Sequence, residues 1–340
     1  MRKPLALHSA TWLAGFIPDL PTPFDAAGNI DLDTFRKLCA RQVEAGAPAI
    51  VVCETAGEAS TLSPEEQSRL IHAAVEVARS RTRVIAGAGS NSTSQAIELS
   101  LQAEAAGADA VLSVVPYYNK PMQAGIEAHF RAIAEATALP IVLHDVPART
   151  LRALTDETLA RLAKSGRFIG LKDSSGDAAR VSRLRSMLPA AFRLMSGDDA
   201  TALAFIANGG DGCISQVANI TSGLCRTIYA CCRHENWQSA RALHHRLAPL
   251  ATALGRESPA ALKSALSALG LMRPCRWSNS RVRQGANSRR RWQRWRNGIW
   301  RRNRRRTSCS RLSGAGRVFR LSRAVADFRF EYRHYRRTNS

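Results

Sequence analysis

Eight short apolar runs of β-type composition recur through residues 15–215: Gly15–Leu20, Ala49–Cys53, Arg83–Ala88, Ala110–Val115, Ile141–His144, Phe168–Leu171, Phe192–Ser196 and Gly212–Ser215. Amphipathic helical patterns lie between them, among them Pro64–Ser80, Thr93–Ala106, Gln123–Thr137 and Asp156–Ser165. Strands alternating with helices read as βαβ units and a parallel sheet. Most runs are spaced by ~25–35 residues, the length of one such unit. Eight units in one chain predict an α/β fold, a closed (β/α)8 TIM barrel rather than an open doubly wound sheet. The helix-to-strand joints repeat a motif, as Ala45-Gly46-Ala47, Ala106-Gly107-Ala108 and Asn208-Gly209-Gly210, in which each glycine suits a left-handed helix cap. No G-x-G-x-x-G follows the first run, and Gly87-Ala88-Gly89-Ser90 lacks the Lys-Ser/Thr of a phosphate loop. Three more helical patterns, Asn219–His234, Asn236–Leu254 and Ser258–Gly270, exceed what a bare barrel needs and predict an appended C-terminal helical layer.

Charge divides the chain further. The 340 residues carry a formal +22, but residues 274–340 hold 21 arginines, no lysine and only Asp327 and Glu331 as acids, a charge of +19, which leaves +3 for residues 1–273. The organisation expected is a catalytic barrel over 1–218, a helical layer over 219–273 and an Arg-rich tail over 274–340. That tail includes Trp277, Trp292, Trp295 and Trp300. A basic segment interleaved with aromatics can bind nucleic acid. This one lacks lysine and helical period, so it reads as frameshifted or disordered, and no nucleic-acid partner is expected. The eight cysteines form no C-x-x-C pair and read as free thiols in a reducing compartment. No stretch approaches the ~18 apolar residues of a membrane span, and residues 1–12 do not read as a signal peptide. A cytoplasmic protein is expected, with no membrane partner.

In a (β/α)8 barrel the active site lies at the C-terminal ends of the strands. Those ends carry Glu54-Thr55-Ala56-Gly57-Glu58, Pro116-Tyr117-Tyr118-Asn119, His144-Asp145-Val146-Pro147 with Arg149, Lys172-Asp173, Ser196-Gly197-Asp198-Asp199 and Ile214-Ser215. Lys172 closes an apolar run. Desolvation there would lower its pKa and leave a neutral amine able to attack a keto group. The alternative is an ammonium paired with Asp173 or reaching to the rim. His144 suits acid–base exchange or a hydrogen-bonded wall. One tyrosine of the Tyr117–Tyr118 pair can relay protons or simply pack. Arg149 can clamp a carboxylate or pair with a surface acid.

At these residues the chain resembles the dihydrodipicolinate synthase family, which also includes N-acetylneuraminate lyase and 2-keto-3-deoxy-sugar-acid aldolases. The resemblance spans roughly Trp12 to Pro274 and rests on Pro21-Thr22-Pro23-Phe24, Thr55-Ala56-Gly57-Glu58, Pro116-Tyr117-Tyr118-Asn119, Val146-Pro147-Ala148-Arg149-Thr150, Gly170-Leu171-Lys172-Asp173 and Ser196-Gly197-Asp198-Asp199. It implies that Lys172 forms a Schiff base with pyruvate and that Thr55 and Tyr118 belong to a proton relay. It implies further that Ile214 contacts pyruvate through its backbone and that Arg149 receives the carboxylate of the second substrate. The implied activity is condensation of pyruvate with aspartate-4-semialdehyde on the route to lysine. The implied partners are pyruvate and a small aldehyde, in a homo-oligomer with Tyr117 or Tyr118 crossing a dimer interface. No metal or organic cofactor is implied, because the lysine supplies the electron sink.

Two departures alter that expectation. The family's glycine–threonine–threonine–glycine–glutamate loop reads Glu54-Thr55-Ala56-Gly57-Glu58, so Ala56 offers pyruvate its backbone N–H without a hydroxyl, a loss of ~1.5–3 kcal/mol. His144 stands where the family has a tyrosine, and is expected to take over acid–base exchange. The alternatives are a retro-aldol lyase acting on a 2-keto-3-deoxy sugar acid, and an inactive barrel that binds nucleic acid through its tail. The segment after Ser63 lacks the histidines tied to lysine feedback, and Gln95 replaces a glutamate, so feedback by lysine is expected to be weak or absent.

Overall fold

The structure, a computed structural model, describes residues 10–273 apart from Ser80 and Glu257; the expectations for residues 274–340 lie outside the described residues. In chain order the elements are β1 (Gly15–Pro18), α1 (Leu32–Glu44), β2 (Ala49–Val52), α2 (Pro64–Ala78), β3 (Arg83–Gly87), α3 (Thr93–Ala105), β4 (Ala110–Val114), α4 (Gln123–Ala136) and β5 (Ile141–Asp145). They continue with the one-turn α5 (Pro147–Thr150), α6 (Asp156–Ala163), β6 (Phe168–Asp173), α7 (Arg180–Met187), β7 (Arg193–Ser196), α8 (Ala202–Ala207), β8 (Gly212–Ser215), α9 (Ala218–Arg233), α10 (Trp237–Arg256) and α11 (Ala260–Ala268).

The eight strands form one parallel sheet in the order β1-β8-β7-β6-β5-β4-β3-β2. The ring nearly closes between β1 and β2, through a bridge from Asp19 to Val51 and a 2.9 Å bond from Leu20 N–H to the Val51 carbonyl. Successive strand side chains face opposite ways. One set, including Ile17, Val51, Ile85, Leu112, Val142, Met195 and Ile214, fills the barrel interior. The other, including Ile50, Val52, Val84, Val111, Leu143 and Leu171, packs against the helices. A third apolar cluster joins α9, α10 and α11 to the barrel through residues such as Ile228, Leu247 and Leu262, which is the C-terminal helical layer.

Local chemistry fixes the element ends. Ser63 and Glu66 form a reciprocal capping box at the start of α2, with Pro64 at its first position. Gly46, Gly107 and Gly209 sit at φ of +75°, +86° and +99°, the left-handed conformation expected at these joints. The strand bounds differ most from the sequence expectation at β1, which stops at Pro18, and at β6, which runs on through Lys172 and Asp173. Lys172 is therefore a strand residue, with its direction set by the pleat.

Candidate active site

Register decides which side chains meet at the barrel mouth. His144 of β5 pairs with Lys172 of β6, which pairs with Met195 of β7. Met195 belongs to the barrel interior, so all three side chains point inward. One residue further along, Asp145 pairs with Asp173, and these point outward to Arg180 of α7. Asp19 lies two residues past Ile17 and so shares its inward direction.

Glu54 reaches the same point by a different route. Cys53 adopts φ +54°, a left-handed conformation that costs a non-glycine residue about 1–2 kcal/mol. Val52 and Cys53 both pack in the outer layer, which breaks the alternation of β2 and turns Glu54 into the mouth. The turn needs Gly87 beside it, because a Cβ there would fall 1.9 Å from the Cys53 carbonyl oxygen. On the opposite side, a Cβ at Gly197 would lie 1.9 Å from the Ser174 hydroxyl and 3.2 Å from Lys172 Cγ. Only glycine leaves room there for both.

The result is a buried chain of polar groups. Lys172 Nζ donates to Glu54 Oε2 at 2.8 Å and to Asp19 Oδ2 at 3.2 Å. Glu54 Oε1 is 2.8 Å from His144 Nδ1, and His144 Nε2 is 3.2 Å from Ser174 Oγ. Burial pushes the His144 pKa down and keeps the ring neutral, against the opposing pull of Glu54. Because a carboxylate only accepts, the Nδ1 position carries the proton and Nε2 accepts from the Ser174 hydroxyl.

This arrangement corrects the sequence expectation for Lys172. Burial alone would depress its pKa, but Glu54 and Asp19 outweigh burial and raise it. The resting amine is an ammonium. Its partners are Asp19 and Glu54, not Asp173, whose carboxylate faces Arg180. Glu54 is held well below the usual carboxylate range by Lys172 and His144 despite its burial, whereas burial raises Asp19 to about 7.

A cavity of about 630 Å³ opens over this chain. Glu54, Thr55, His144, Arg149 and Tyr117 line it. Arg149 stands exposed in the last turn of α5. Lys172 is 3% exposed and meets the cavity through Glu54. Ala56 is fully buried against the helical layer, and Ile214 is in the barrel interior. Tyr118 is not brought to this point by its own chain: it is 90% exposed, at φ +70°, and Tyr117 takes the inward place. Among the described residues no group of three His, Cys, Asp or Glu side chains is arranged to hold a metal ion. No described helix is long and apolar enough to cross a membrane.

Further contacts hold the frame. Asp199 accepts from Ser215 Oγ and from the backbone N–H groups of Gln216 and Val217, which fixes the end of β8 beside Ile214. The helical layer reaches in through His244, 3.1 Å from the Asp199 carbonyl, and through an ion pair from Lys263 to Glu58. Sequence reasoning assigned no role to Asp19, Glu54 or Ser174. The available signals were an acid interrupting the apolar run Gly15–Leu20 and an acid at the loop position the family gives to glycine.

The chain is also similar to known proteins. Residues 12–279 match the Dihydrodipicolinate synthetase family. The 4-hydroxy-tetrahydrodipicolinate synthase of Hyphomonas neptunium is 48% identical over 263 residues, 76% of this chain and 89% of that protein. That of Cereibacter sphaeroides is 46% identical over 260 residues, with the same shares. Among solved structures, the chloride-inhibited dihydrodipicolinate synthase of Acinetobacter baumannii, complexed with pyruvate, superposes with a TM-score of 0.76 at 38% identity, covering 84% of this chain and 99% of that one. With an amine at the mouth of an eight-stranded barrel and this likeness along most of its length, the chain belongs to the dihydrodipicolinate synthetase family.

Proposed function

We propose that this protein condenses pyruvate with aspartate-4-semialdehyde to give 4-hydroxy-tetrahydrodipicolinate, for lysine and diaminopimelate synthesis in the cytoplasm, through a Schiff base on Lys172. The observation that carries this reading is the buried Lys172 amine at the strand ends, bonded through Glu54 to His144 beneath an open cavity. The amine adds to the keto carbon of pyruvate and water leaves, so that an iminium forms. The iminium withdraws electrons from the methyl carbon, which loses a proton and becomes an enamine. The enamine carbon attacks the aldehyde, and the amine of the semialdehyde then displaces Lys172 and closes the ring. The covalent lysine provides the electron sink, so the reading invokes no separate cofactor.

His144 exchanges protons at the enamine stage, a reading supported by its neutral ring between Glu54 and Ser174. Thr55 lines the same cavity and extends that role. Arg149 supplies the cation for the carboxylate of the second substrate, and Ala56 and Ile214 frame the pyruvate end through backbone groups. Positioned acid–base groups contribute typically ~10²–10⁴-fold. His144→Phe is expected to lower kcat by that factor in a coupled assay of ring product; unchanged turnover would remove His144 from the mechanism.

Ala56 and His144 leave room for a second reading, retro-aldol cleavage of a 2-keto-3-deoxy sugar acid. An assay of pyruvate against a panel of aldehydes decides between them. Fastest turnover with aspartate-4-semialdehyde supports the first reading, and preference for an uncharged sugar-derived aldehyde supports the second. The exposed Tyr118 phenol suits a homo-oligomer in which a partner subunit receives it. Gln95, held by Ser90 at 2.6 Å on the cavity wall, presents an amide where a carboxylate would attract the ammonium of lysine. Initial-rate measurements are therefore expected to show little inhibition by millimolar lysine, and micromolar inhibition would contradict this.

A further inference from the structure

We infer that Asp19 is the catalytic base that takes the proton from the Lys172 ammonium as the imine forms, while Glu54 is the fixed carboxylate that holds amine and imidazole together. This inference deepens the pyruvate-imine reading and rests on it. The amine must lose a proton before it can attack, and two carboxylates touch it. They differ in how fully they are occupied. Both oxygens of Glu54 are engaged, Oε1 with His144 and Oε2 with Lys172 and the Thr55 N–H, so a proton placed on Glu54 breaks a bond already made. Asp19 bonds Lys172 through Oδ2 alone, and its Oδ1 is buried with no hydrogen-bond partner. A buried, empty carboxylate oxygen is costly as an anion and ready to carry a proton.

Position separates them as well. Glu54 lines the cavity and Asp19 does not, being 1% exposed on the inner side of the amine. Pyruvate arriving from the cavity meets the Glu54 contact first and leaves Asp19 as the acceptor behind the nitrogen. The Asp19 backbone is fixed, with its N–H bonded to the Ser215 carbonyl at 2.9 Å and its carbonyl to Asn219 Nδ2 at 2.7 Å. The charged and titratable groups facing it are Lys172 from β6 and Glu54 and the Cys53 thiol from the end of β2, with His144 beyond Glu54. From β8 and α9 it meets the neutral Ser215 and Asn219. Burial and the Glu54 charge raise its carboxyl to about 7, against the pull of Lys172.

The step balances as follows. Lys172 passes a proton to Asp19, and the freed lone pair forms the N–C bond to the keto carbon while the carbonyl π pair moves to oxygen. The nitrogen passes one of its two remaining protons to that oxygen on the cavity side; Asp19 then returns its proton to the nitrogen it touches, and the nitrogen passes a second proton to the hydroxyl, which leaves as water. Ammonium plus ketone have become iminium plus water, and Asp19 is again a carboxylate.

The test is rapid-quench borohydride trapping of labelled pyruvate on the full chain across pH. The wild-type rate of adduct formation should rise as pH passes through about 7, where Asp19 becomes a carboxylate, and then level off. Asp19→Asn should slow trapping by ~10²–10⁴-fold and remove that inflection, and Asp19→Glu should restore part of the rate. Glu54→Gln, which removes the charge that raises Asp19, should move the inflection to lower pH. Asp19→Asn trapping pyruvate at the wild-type rate with the wild-type profile would overturn the assignment. If that variant fails to fold, an inflection unmoved in Glu54→Gln overturns it instead. Absence of any adduct on the wild-type protein would overturn the imine reading itself, and this inference with it.

Discussion

Replacing Lys172 with methionine is expected to lower kcat by about 10⁴–10⁶-fold, the scale of loss when a covalent nucleophile is removed. No neighbour can substitute. Lys172 is the amine that the register of β5, β6 and β7 aims into the barrel mouth, and the groups it touches are acids. Methionine keeps most of the stem's volume but leaves Asp19 and Glu54 without their cation. Two adjacent buried carboxylates then take up protons rather than stay charged, so both pKa values should rise. The variant should therefore fold best at mildly acidic pH. Steady-state turnover measured alongside a folded-state circular dichroism spectrum separates lost chemistry from lost structure. Turnover within tenfold of wild type in a folded protein would remove Lys172 from the centre of the account.

The largest effect on stability is expected at Arg180, one layer behind the amine. Its guanidinium lies 2.7 Å from Asp145, 2.7 Å from Asp156 and 3.4 Å from Asp173, and it also donates to the Leu154 carbonyl. The side chains of Asp145 and Asp173 are 0% and 1% exposed, and burial raises the Asp145 carboxyl against the pull of Arg180. Removing one member of a buried pair costs about 3–5 kcal/mol, because the remaining charge is stranded. Arg180→Met should lose that much in denaturant unfolding. Arg183, one turn along, pairs with Asp156 and Asp177 in solvent, and its removal should be far milder. Equal unfolding midpoints for Arg180→Met and the wild type would show that the acids are neutral and the network contributes little.

The architecture was readable because each strand is an apolar run flanked by helical periodicity, and because the joint glycines mark where helices end. The C-terminal layer was readable for the same reason, as three further helical patterns beyond the eighth run. At the site, Lys172, His144 and Arg149 were visible as polar residues closing or following apolar runs. Their partners were not. Asp19 and Glu54 lie 153 and 118 residues from Lys172 in sequence, and only closure of the barrel brings them to it. The burial of Lys172 was foreseen, but without those two acids its pKa shift took the wrong direction.

Glu54 was hidden for a second reason. In an alternating strand it would have followed the parity of Ile50 and Val52 and faced the helices. The left-handed turn at Cys53 reverses that parity, and nothing in the side-chain pattern records a backbone dihedral. Tyr118 is a different case. The pair Tyr117–Tyr118 forces one ring in and one out, but the choice between them belongs to the loop conformation, which places Tyr117 on the cavity wall and Tyr118 in solvent.

The most direct test of the central claim is to incubate the full chain with pyruvate, reduce with borohydride, digest, and locate the adduct by mass spectrometry. A single reduced pyruvyl group on the peptide carrying Lys172, at near one per chain, is the result expected. An adduct spread over surface lysines such as Lys37, Lys120 and Lys164, with Lys172 unmodified, would contradict it.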